Sequence, residues 1–365
     1  MNIIHYNKDD VLGLLSISLY MIYHTLQGFH ETLPKAILLL ALLTSFAYII
    51  NLKKFKKETL LLLVFIGIIT LIQFPVTFDI RMVVLFICMV VGTYIDIDDL
   101  LNWMFLSKFL AFVAGTAMGW EKANTCSLHG GMLLLLYICT KRKNIRWRHV
   151  AIVAGAAIAL FLYTNTATLL LGVGIALLLL VYYKMFNEKT IFHWKIVKYV
   201  FPAVLFVNLI CVLTFVEKQV PFLGQWLPSK VNDIFYEMVR IVDVATTSRV
   251  TLAAASWPVF GVSMWGGNAD YTLLNLTEGV YYNLDSGMMW LLQGWGIILT
   301  IVFMLITIHL MEYFLQKKEY VLMIAAIVIA CWAMIEDMLL IVGTNFLIVL
   351  FGKALMMSRK KRITL

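Results

Sequence analysis

The sequence predicts an all-α fold, a polytopic integral membrane helix bundle of about 12 transmembrane helices with one large extracytoplasmic loop. Three observations lead to this fold class. Of the 365 residues, 62% are hydrophobic and 14% are charged, whereas soluble domains are about half apolar and a quarter charged. Apolar runs approaching the ~20 residues that cross a bilayer recur along the chain. Lysine and arginine collect in alternate connections between these runs.

Nine predicted spans precede the large loop and three follow it. The predicted spans are Val11–Phe29, Leu33–Ile50, Leu60–Phe74, Met82–Ile95, Trp103–Trp120, Leu128–Thr140, Val150–Tyr163, Ala167–Tyr183, Tyr199–Phe215, Met288–Leu310, Tyr320–Ala333 and Met338–Phe351. The chain therefore divides into helices 1–9 (residues 1–215), the loop (216–287), and helices 10–12 with a basic tail (288–365). The polar start MNIIHYNKDD has no positive n-region, so the first span is expected to remain as an anchor.

The distribution of basic residues predicts the orientation. The clusters KKFKK (Lys53–Lys57), KRKNIRWR (Lys141–Arg148) and SRKKRITL (Ser358–Leu365) fall on one side. With the other connections on that side, they hold roughly three times as many lysines and arginines as the opposite side. Both termini are therefore predicted in the cytoplasm and the large loop outside a cytoplasmic membrane. Topology explains the net charge of +8, and no nucleic-acid partner is expected.

Several function classes are excluded by what the sequence lacks. It contains no P-loop, nucleophile elbow, G-x-G-x-x-G or H-E-x-x-H motif, which argues against ATP-driven transport, serine hydrolases and zinc proteases. The five cysteines are scattered without a C-x-x-C pair, so neither a zinc site nor a disulfide framework is indicated. The acidic turn DIDD (Asp96–Asp99) resembles magnesium-binding aspartate clusters, but a solvated cytoplasmic turn is favoured. No cofactor and no metal are expected.

The large loop contains the first candidate site residues. Arg249 stands where the chain re-enters the bilayer, and its guanidinium fork is suited to pair with phosphate oxygens. The alternative is a solvated arginine or a phospholipid anchor. Arg240 lies nine residues earlier on the segment Ser229–Val244, whose apolar spacing of three and four predicts an amphipathic helix on the outer surface or capping the bundle. A surface contact is the favoured role of Arg240.

Two carboxylates form the second group of candidates. Asp285 precedes the tenth predicted span, and Glu336 lies at the outer end of the eleventh, where a carboxylate at bilayer depth costs ~2.5–3.5 kcal/mol and usually faces a cavity or a partner. Either is placed to accept a proton from a sugar hydroxyl or to pair with Arg249. The alternative is that both lie in water at helix ends, together with Asp337.

Three further residues have weaker signals. His129 lies at the outer end of the sixth predicted span, where a packing role next to two glycines is the favoured interpretation. Trp257 and Trp265 are candidates to stack on sugar rings, although interfacial aromatic belts are common.

The segments SRVTLAAASWPVFG (Ser248–Gly261), LDSGMMWLLQGWGII (Leu284–Ile298) and IEDMLLIVGTNFLIVL (Ile335–Leu350) resemble three late blocks of a bacterial family. The family comprises the O-antigen and capsular polysaccharide repeat-unit polymerases and their ligase relatives. The resemblance places its arginine at Arg249 before Pro258 and Gly261, its polar motif at Asp285 before Gly294 and Gly296, and its glutamate and asparagine at Glu336 and Asn345.

Two departures from the family pattern are informative. Ligases usually have a histidine where this chain has Asp285, which favours a polymerase. The family often has a serine-arginine pair at the end of a middle span, where this chain reads YTNTAT (Tyr163–Thr168). If that arginine binds phosphate, Arg240, Lys122 or Lys218 must replace it.

The resemblance implies a glycosyltransferase that joins polyprenyl-diphosphate-linked oligosaccharide repeat units at the outer face of the membrane. A flippase and a chain-length regulator are possible partners besides the lipid bilayer. In this mechanism Arg249, with Arg240, stabilises the leaving diphosphate, and Asp285 or Glu336 activates the acceptor hydroxyl. Two alternatives stay open: a ligase that transfers glycan to another acceptor, and a flippase or carrier of lipid-linked sugars.

Overall fold

The computed structural model describes residues 8–27, 32–52, 57–77, 79–120, 122–186, 192, 194–217, 229–245, 248–267 and 286–357. Within these ranges the chain forms α-helices and short 3-10 helices and no strand, so the predicted all-α class is confirmed. The helices are α1 Lys8–Leu26, α2 Thr32–Asn51, α3 Lys57–Thr77, α4 Ile80–Gly92, α5 Ile97–Met118, α6 Ala123–Thr140, α7 Trp147–Thr164, α8 Ala167–Phe186, α9 Val200–Glu217, α10 Ser229–Ala245, α11 Arg249–Phe260, α12 Gly287–Gly294, α13 Gly296–Lys317, α14 Tyr320–Trp332 and α15 Phe351–Met357. The 3-10 helices are Arg142–Asn144, Lys195–Tyr199 and Phe346–Leu350.

Six of the described helical segments are long and apolar enough to cross a membrane. They are Leu33–Asn51, Ile97–Met118, Trp147–Thr164, Ala167–Phe186, Lys195–Val216 and Gly296–Lys317. Five shorter apolar helical segments accompany them, among them Ile80–Gly92 and Tyr320–Trp332. These lengths indicate a helical membrane protein. The count of twelve spans stays a prediction.

The bundle is arranged around α14. This helix is apolar on every side and nearly all of its side chains are buried, including Trp332 at 1% exposure, as expected for a helix with no solvent-facing stripe. It packs against α8, α6, α9 and α13. Gly172 of α8 and Gly131 of α6 make room for the Trp332 ring, because a Cβ at either position would overlap it. Peripheral helices expose residues such as Leu178, 72% exposed, which suits contact with lipid.

The tenth predicted span is not one helix. The structure divides Met288–Leu310 between α12 and α13, with the break at Trp295. Gly296 has φ +80°, a left-handed conformation that glycine adopts without strain. The segment Ser263–Gly267 lies against this break, with hydrogen bonds from Ile297 N to Ser263 O (3.0 Å) and from Gly267 N to Gly294 O (3.1 Å).

The twelfth predicted span is also wrong in its first half. Residues Ala333–Asn345, here called the non-helical segment, form a series of turns, and helical structure resumes only at Phe346. Met338 is therefore not the start of a helix. The apolar composition that predicted a span reflects burial within the bundle, since Met338, Leu339 and Leu340 are all at most 1% exposed.

The amphipathic segment of the large loop forms a helix, as predicted, over Ser229–Ala245 (α10). It contacts α9 and α11. Val239 is buried, but Ile234 (64%) and Ile241 (65%) are exposed. This apolar face therefore does not cap the described bundle, and it is free to lie against lipid.

Candidate functional site

The non-helical segment Ala333–Asn345 is the feature on which the site is built. Its backbone is buried in the bundle, where polar main-chain groups need internal partners. Two of its own side chains supply them: Asn345 Nδ2 donates to Leu339 O at 2.8 Å, and Thr344 Oγ1 donates to Met338 O at 2.9 Å. Non-helical backbone at this depth is tolerated where it is enclosed by protein or lines a cavity, and it carries Glu336 and Asp337.

Lys108 fixes the far end of this segment. Its ammonium group is buried in the middle of α5, at 1% exposure, and donates to Gly343 O at 2.6 Å. It also lies 2.9 Å from His129 Nδ1 on α6 and 3.4 Å from Thr25 Oγ1 on α1. Four parts of the chain thus meet at the buried Lys108 side chain.

Arg249 and Glu336 form a buried ion pair. Arg249 Nη1 lies 3.0 Å from Glu336 Oε1, and the two side chains are only 5% and 10% exposed. The contact joins the first residue of α11 to the non-helical segment. The sequence indicated that Glu336 was able to pair with Arg249, and the structure shows that it does.

Local backbone chemistry holds Arg249 in this position. Ser248, the residue before α11, has φ +64°, and its N–H donates to Asp243 O at 2.8 Å. The Asp243 carboxylate accepts from Thr251 N at 2.9 Å and from Thr251 Oγ1 at 2.6 Å. Asp243 on α10 thereby satisfies N–H groups that the first turn of α11 leaves without helical partners. The sharp entry into α11 directs Arg249 towards the bundle.

A second arginine binds the carboxylate next to Glu336. Arg81 Nη1 donates to Asp337 Oδ2 at 3.1 Å, and Arg81 Nε lies 3.0 Å from both oxygens of Asp79. The guanidinium carbon lies 4.0 Å from the centroid of the Trp290 ring, a cation–π contact. Trp295 Nε1 donates to Asp79 Oδ2 at 2.9 Å. Asp337 therefore does not lie in water but joins a cluster at the start of α4.

The beginning of α12 lies beside Glu336. Gly287 N donates to Glu336 O at 3.1 Å, and a Cβ at Gly287 would crowd the same carbonyl. Asn208 of α9 donates to both Ser286 Oγ (3.1 Å) and Met334 O (3.2 Å). Ser286 in turn caps α12 by accepting from Met289 N. These contacts attach the end of the large loop to the non-helical segment. Asp285, the predicted second carboxylate, lies outside the described residues.

The other predicted residues lie in different surroundings. Arg240 is 56% exposed and pairs with Glu237 at 2.8 Å on the surface of α10. His129 is bound to Lys108. Asn345 is 1% exposed and stabilises the non-helical segment, so it does not line a surface.

Two of the predicted residues are tryptophans. Trp257 packs against the small apolar cluster of α9 and α11, and Trp265 is 44% exposed. Of the predicted candidates within the described ranges, only Arg249 and Glu336 are in contact.

Sequence reasoning missed Arg81, Asp79 and Asp337. Arg81 belongs to the minority of basic residues on the predicted outer side, and the signal available was its position two residues after Asp79 at the start of a span. The replacements considered for the family's second arginine were Arg240, Lys122 and Lys218. Lys122 precedes α6 and is exposed, Arg240 is paired with Glu237, and Lys218 lies outside the described residues.

The DIDD turn has a structural role in the described chain. Asp96 caps α5 by accepting from Asp98 N, and Asp98 pairs with Arg142 and Lys143. Among the residues that the structure describes, no group of three His, Cys, Asp or Glu side chains is arranged to hold a metal ion.

Comparison of the chain with known protein families, with curated proteins and with solved structures finds no match for it. The site must therefore be interpreted from its own chemistry. It contains two largely buried arginines that contact two consecutive carboxylates, Arg249 through Glu336 and Arg81 through Asp337, and Arg81 is also paired with Asp79. An arrangement of this kind can accept an anion by exchanging a carboxylate for it, and can then leave that carboxylate available as a base.

Proposed function

We propose that the chain is a polysaccharide polymerase, a glycosyltransferase that joins polyprenyl-diphosphate-linked oligosaccharide repeat units. The substrate class comes from the sequence resemblance. The observation that supports the proposal is the buried Arg249–Glu336 pair, 3.0 Å apart, with the Arg81–Asp337 contact on the adjacent residue. Arg249 and Arg81, which contact these consecutive carboxylates, are the two cations that the proposal assigns to the diphosphate.

The first role of Arg249 is to bind the diphosphate of the donor. Arginine keeps its charge and presents a planar fork of N–H donors that matches phosphate oxygens. Nη1 of this fork lies 3.0 Å from Glu336 Oε1. An entering phosphate group would take over part of it, so that Arg249 keeps an anionic partner throughout binding.

The transfer step breaks the bond between the anomeric carbon of the growing glycan and the diphosphate oxygen. A bond forms between that carbon and a hydroxyl oxygen of the incoming repeat unit, and the electron pair of the broken bond leaves on the diphosphate. Arg249, with Arg81 as the second cation, stabilises this developing negative charge. In this proposal Arg81 takes the role for which the sequence suggests Arg240, Lys122 or Lys218.

The acceptor hydroxyl must lose its proton as the new bond forms. Glu336 is the base that the contacts favour, because displacement from Arg249 by phosphate releases its carboxylate beside the reacting groups. Asp285 stays the second candidate for this role. The donor is already activated, so the proposed step requires neither a nucleotide nor a metal.

The proposal predicts that Arg249→Ala abolishes polymer formation. The variant is expressed in the parent cells in place of the normal protein, and the cell-surface polysaccharide and lipid-linked sugars are separated by size. We expect loss of long chains and accumulation of single lipid-linked repeats. Removing one donor to a developing oxyanion typically costs about 10²–10³ in rate. Arg249→Lys keeps the positive charge but lacks the planar set of N–H donors, and cells with this variant are expected to make short polysaccharide chains.

A folded but inactive variant separates chemistry from stability. In Arg249→Met/Glu336→Met both charges are replaced together, so no buried ion is left unpaired. This variant should reach the membrane in normal amount and still make no polymer. Normal long polysaccharide chains from cells with Arg249→Ala or with Arg249→Met/Glu336→Met would refute the proposal. Transfer of whole blocks to another acceptor would indicate the ligase, and movement of repeats between leaflets without joining would indicate the carrier.

A further inference from the structure

A basic cavity lies at the opposite end of α4 and α5 from the Arg249–Glu336 site. It is open, has a volume of about 270 Å³, and is formed by the connection between α6 and α7. Its lining includes Lys141, Lys143, Arg146, Arg148 and His149. The proposed polymerase chemistry uses none of these residues.

The basic residues of this connection fall into two groups. Arg142 pairs with Asp98 at 2.6 Å and with Glu319 at 3.0 Å, and Lys143 pairs with Asp98. The hydrogen bond to Asp98 raises the pKa of Lys143 above its ordinary value. These two cations tie neighbouring turns together and are neutralised within the protein.

The second group is Lys141, Arg146 and Arg148. All three are exposed, and within the described residues none of them has a carboxylate within ion-pair distance. Their only described polar side-chain contacts are with Asn144 and His149. The general excess of positive charge on one side of a membrane protein explains their number. It does not explain why the unneutralised ones converge on one cavity.

His149 lines the cavity beside Arg148. Its Nδ1 accepts the backbone N–H of Arg146 at 3.1 Å, and Arg148 Nε lies 3.4 Å from its Nε2. The guanidinium of arginine has five N–H donors. The contact with His149 uses one of them, so Arg148 has further donors to offer to an oxygen anion.

The position of the cavity indicates the source of the anion. Trp147 follows Arg146 directly and is 53% exposed, and Ile152, one turn further along α7, is 52% exposed. Tryptophan is enriched at the level of lipid headgroups, and basic pockets beside transmembrane helices bind anionic headgroups. We propose that this cavity binds the phosphate headgroup of an anionic phospholipid, held by Lys141, Arg146 and Arg148.

The test measures lipid retained by the purified, folded protein in native mass spectrometry. Phosphatidylglycerol and phosphatidylcholine are added separately to the normal chain and to Arg146→Gln/Arg148→Gln. The normal chain should retain phosphatidylglycerol in preference to phosphatidylcholine. The variant should retain at least about tenfold less phosphatidylglycerol, because each cation near an anionic lipid surface contributes attraction and two cations have been removed. Its thermal unfolding should match that of the normal chain, because both arginines are exposed and neither has a carboxylate within ion-pair distance among the described residues.

The matched control is Lys195→Gln/Lys198→Gln, which removes two positive charges elsewhere, from the 3-10 helix before α9. This variant should retain phosphatidylglycerol as the normal chain does. Equal retention of both lipids, or equal loss in both double variants, would overturn the proposal. A third arm adds inorganic phosphate, and displacement of the lipid by low millimolar phosphate would also overturn it, since the site would then recognise the anion rather than a lipid.

Discussion

At the scale of single residues, Arg249 and Glu336 depend on each other for their place inside the bundle. Taking either charge out of water costs several kcal/mol, and the attraction between them offsets this only while both are present. Their side chains are 5% and 10% exposed, so solvent screens the pair little. The surface pair Arg240–Glu237 has a similar separation of 2.8 Å, but both side chains are 56% exposed.

This contrast predicts a distinct pattern of stabilities. Arg249→Met and Glu336→Met are each expected to lower the free energy of unfolding by about 3–5 kcal/mol, and the double variant should recover most of the loss. Changing Arg240 and Glu237 to Met, singly or together, should alter it by about 1 kcal/mol or less. Thermal unfolding of the purified proteins in detergent checks both series. Additive losses in the Arg249–Glu336 series would show that the two side chains do not act as a pair.

Some residues of the site could be predicted from the sequence and others could not. Arg249 and Glu336 stood out because each is a charge beside a long apolar run, where charges are costly and need partners. Arg81 and Asp337 are just as charged, but they lie 256 positions apart in sequence. Local periodicity in a sequence cannot indicate a contact between residues so far apart along the chain. Asp337 was therefore assigned to water although it binds Arg81.

At the scale of elements, two interruptions of helical structure create the site. The break at Trp295 lies within one predicted span, and Met338–Asn345 lies within another, because apolar composition measures burial and not backbone conformation. The sequence did contain a signal at one of them, since Trp295 stands between two glycines and glycine weakens a helix. At the non-helical segment the signal was weaker. Its buried hydrogen bonds come from Asn345 and Lys108, and the second of these is distant in sequence.

The break at Trp295 depends on a close crossing of two backbones. Gly266 and Gly296 have φ +79° and +80°, and a Cβ on either would overlap the other segment. Gln73 of α3 donates to the carbonyls of both Trp265 and Trp295, which joins the crossing to a third element. The crossing holds Trp295 where its indole reaches Asp79, the partner of Arg81.

Gly296→Ala is therefore expected to destabilise the protein by more than about 2 kcal/mol, since it combines left-handed backbone strain with a steric clash. Gly155→Ala is the matched control. Gly155 lies inside α7, and no atom is within 4 Å of an added Cβ there. That change should be neutral or stabilise by up to about 1 kcal/mol, as alanine favours a helix. Equal unfolding temperatures for the two variants would contradict the crossing as described.

At the scale of the whole molecule, the ion pairs establish which turns share an end of the bundle. Arg142 binds both Asp98, at the start of α5, and Glu319, between α13 and α14. These connections are among those that the charge distribution assigns to the cytoplasm. Arg81 lies at the other end of α4, a helix of 13 residues and hence about 20 Å long.

The predicted orientation can be tested with single cysteines and a maleimide that does not cross membranes. Of the native cysteines, Cys88, Cys126, Cys139 and Cys211 are buried and Cys331 is partly buried, so background labelling should be low. In right-side-out vesicles Lys122→Cys and Asp233→Cys, both at exposed positions, should react, whereas Lys195→Cys and Lys317→Cys should react only in inside-out vesicles.

These four positions also connect the topology to the proposed chemistry. Lys122 precedes α6 and Asp233 lies on α10, the helix whose Asp243 positions Arg249. Lys195 and Lys317 belong to the predicted cytoplasmic side, where the basic cavity lies. The opposite labelling pattern would place the Arg249–Glu336 site towards the cytoplasm. A polymerase of repeat units at the outer face would then be excluded, while the stability predictions for the ion pair and for Gly296 would still hold.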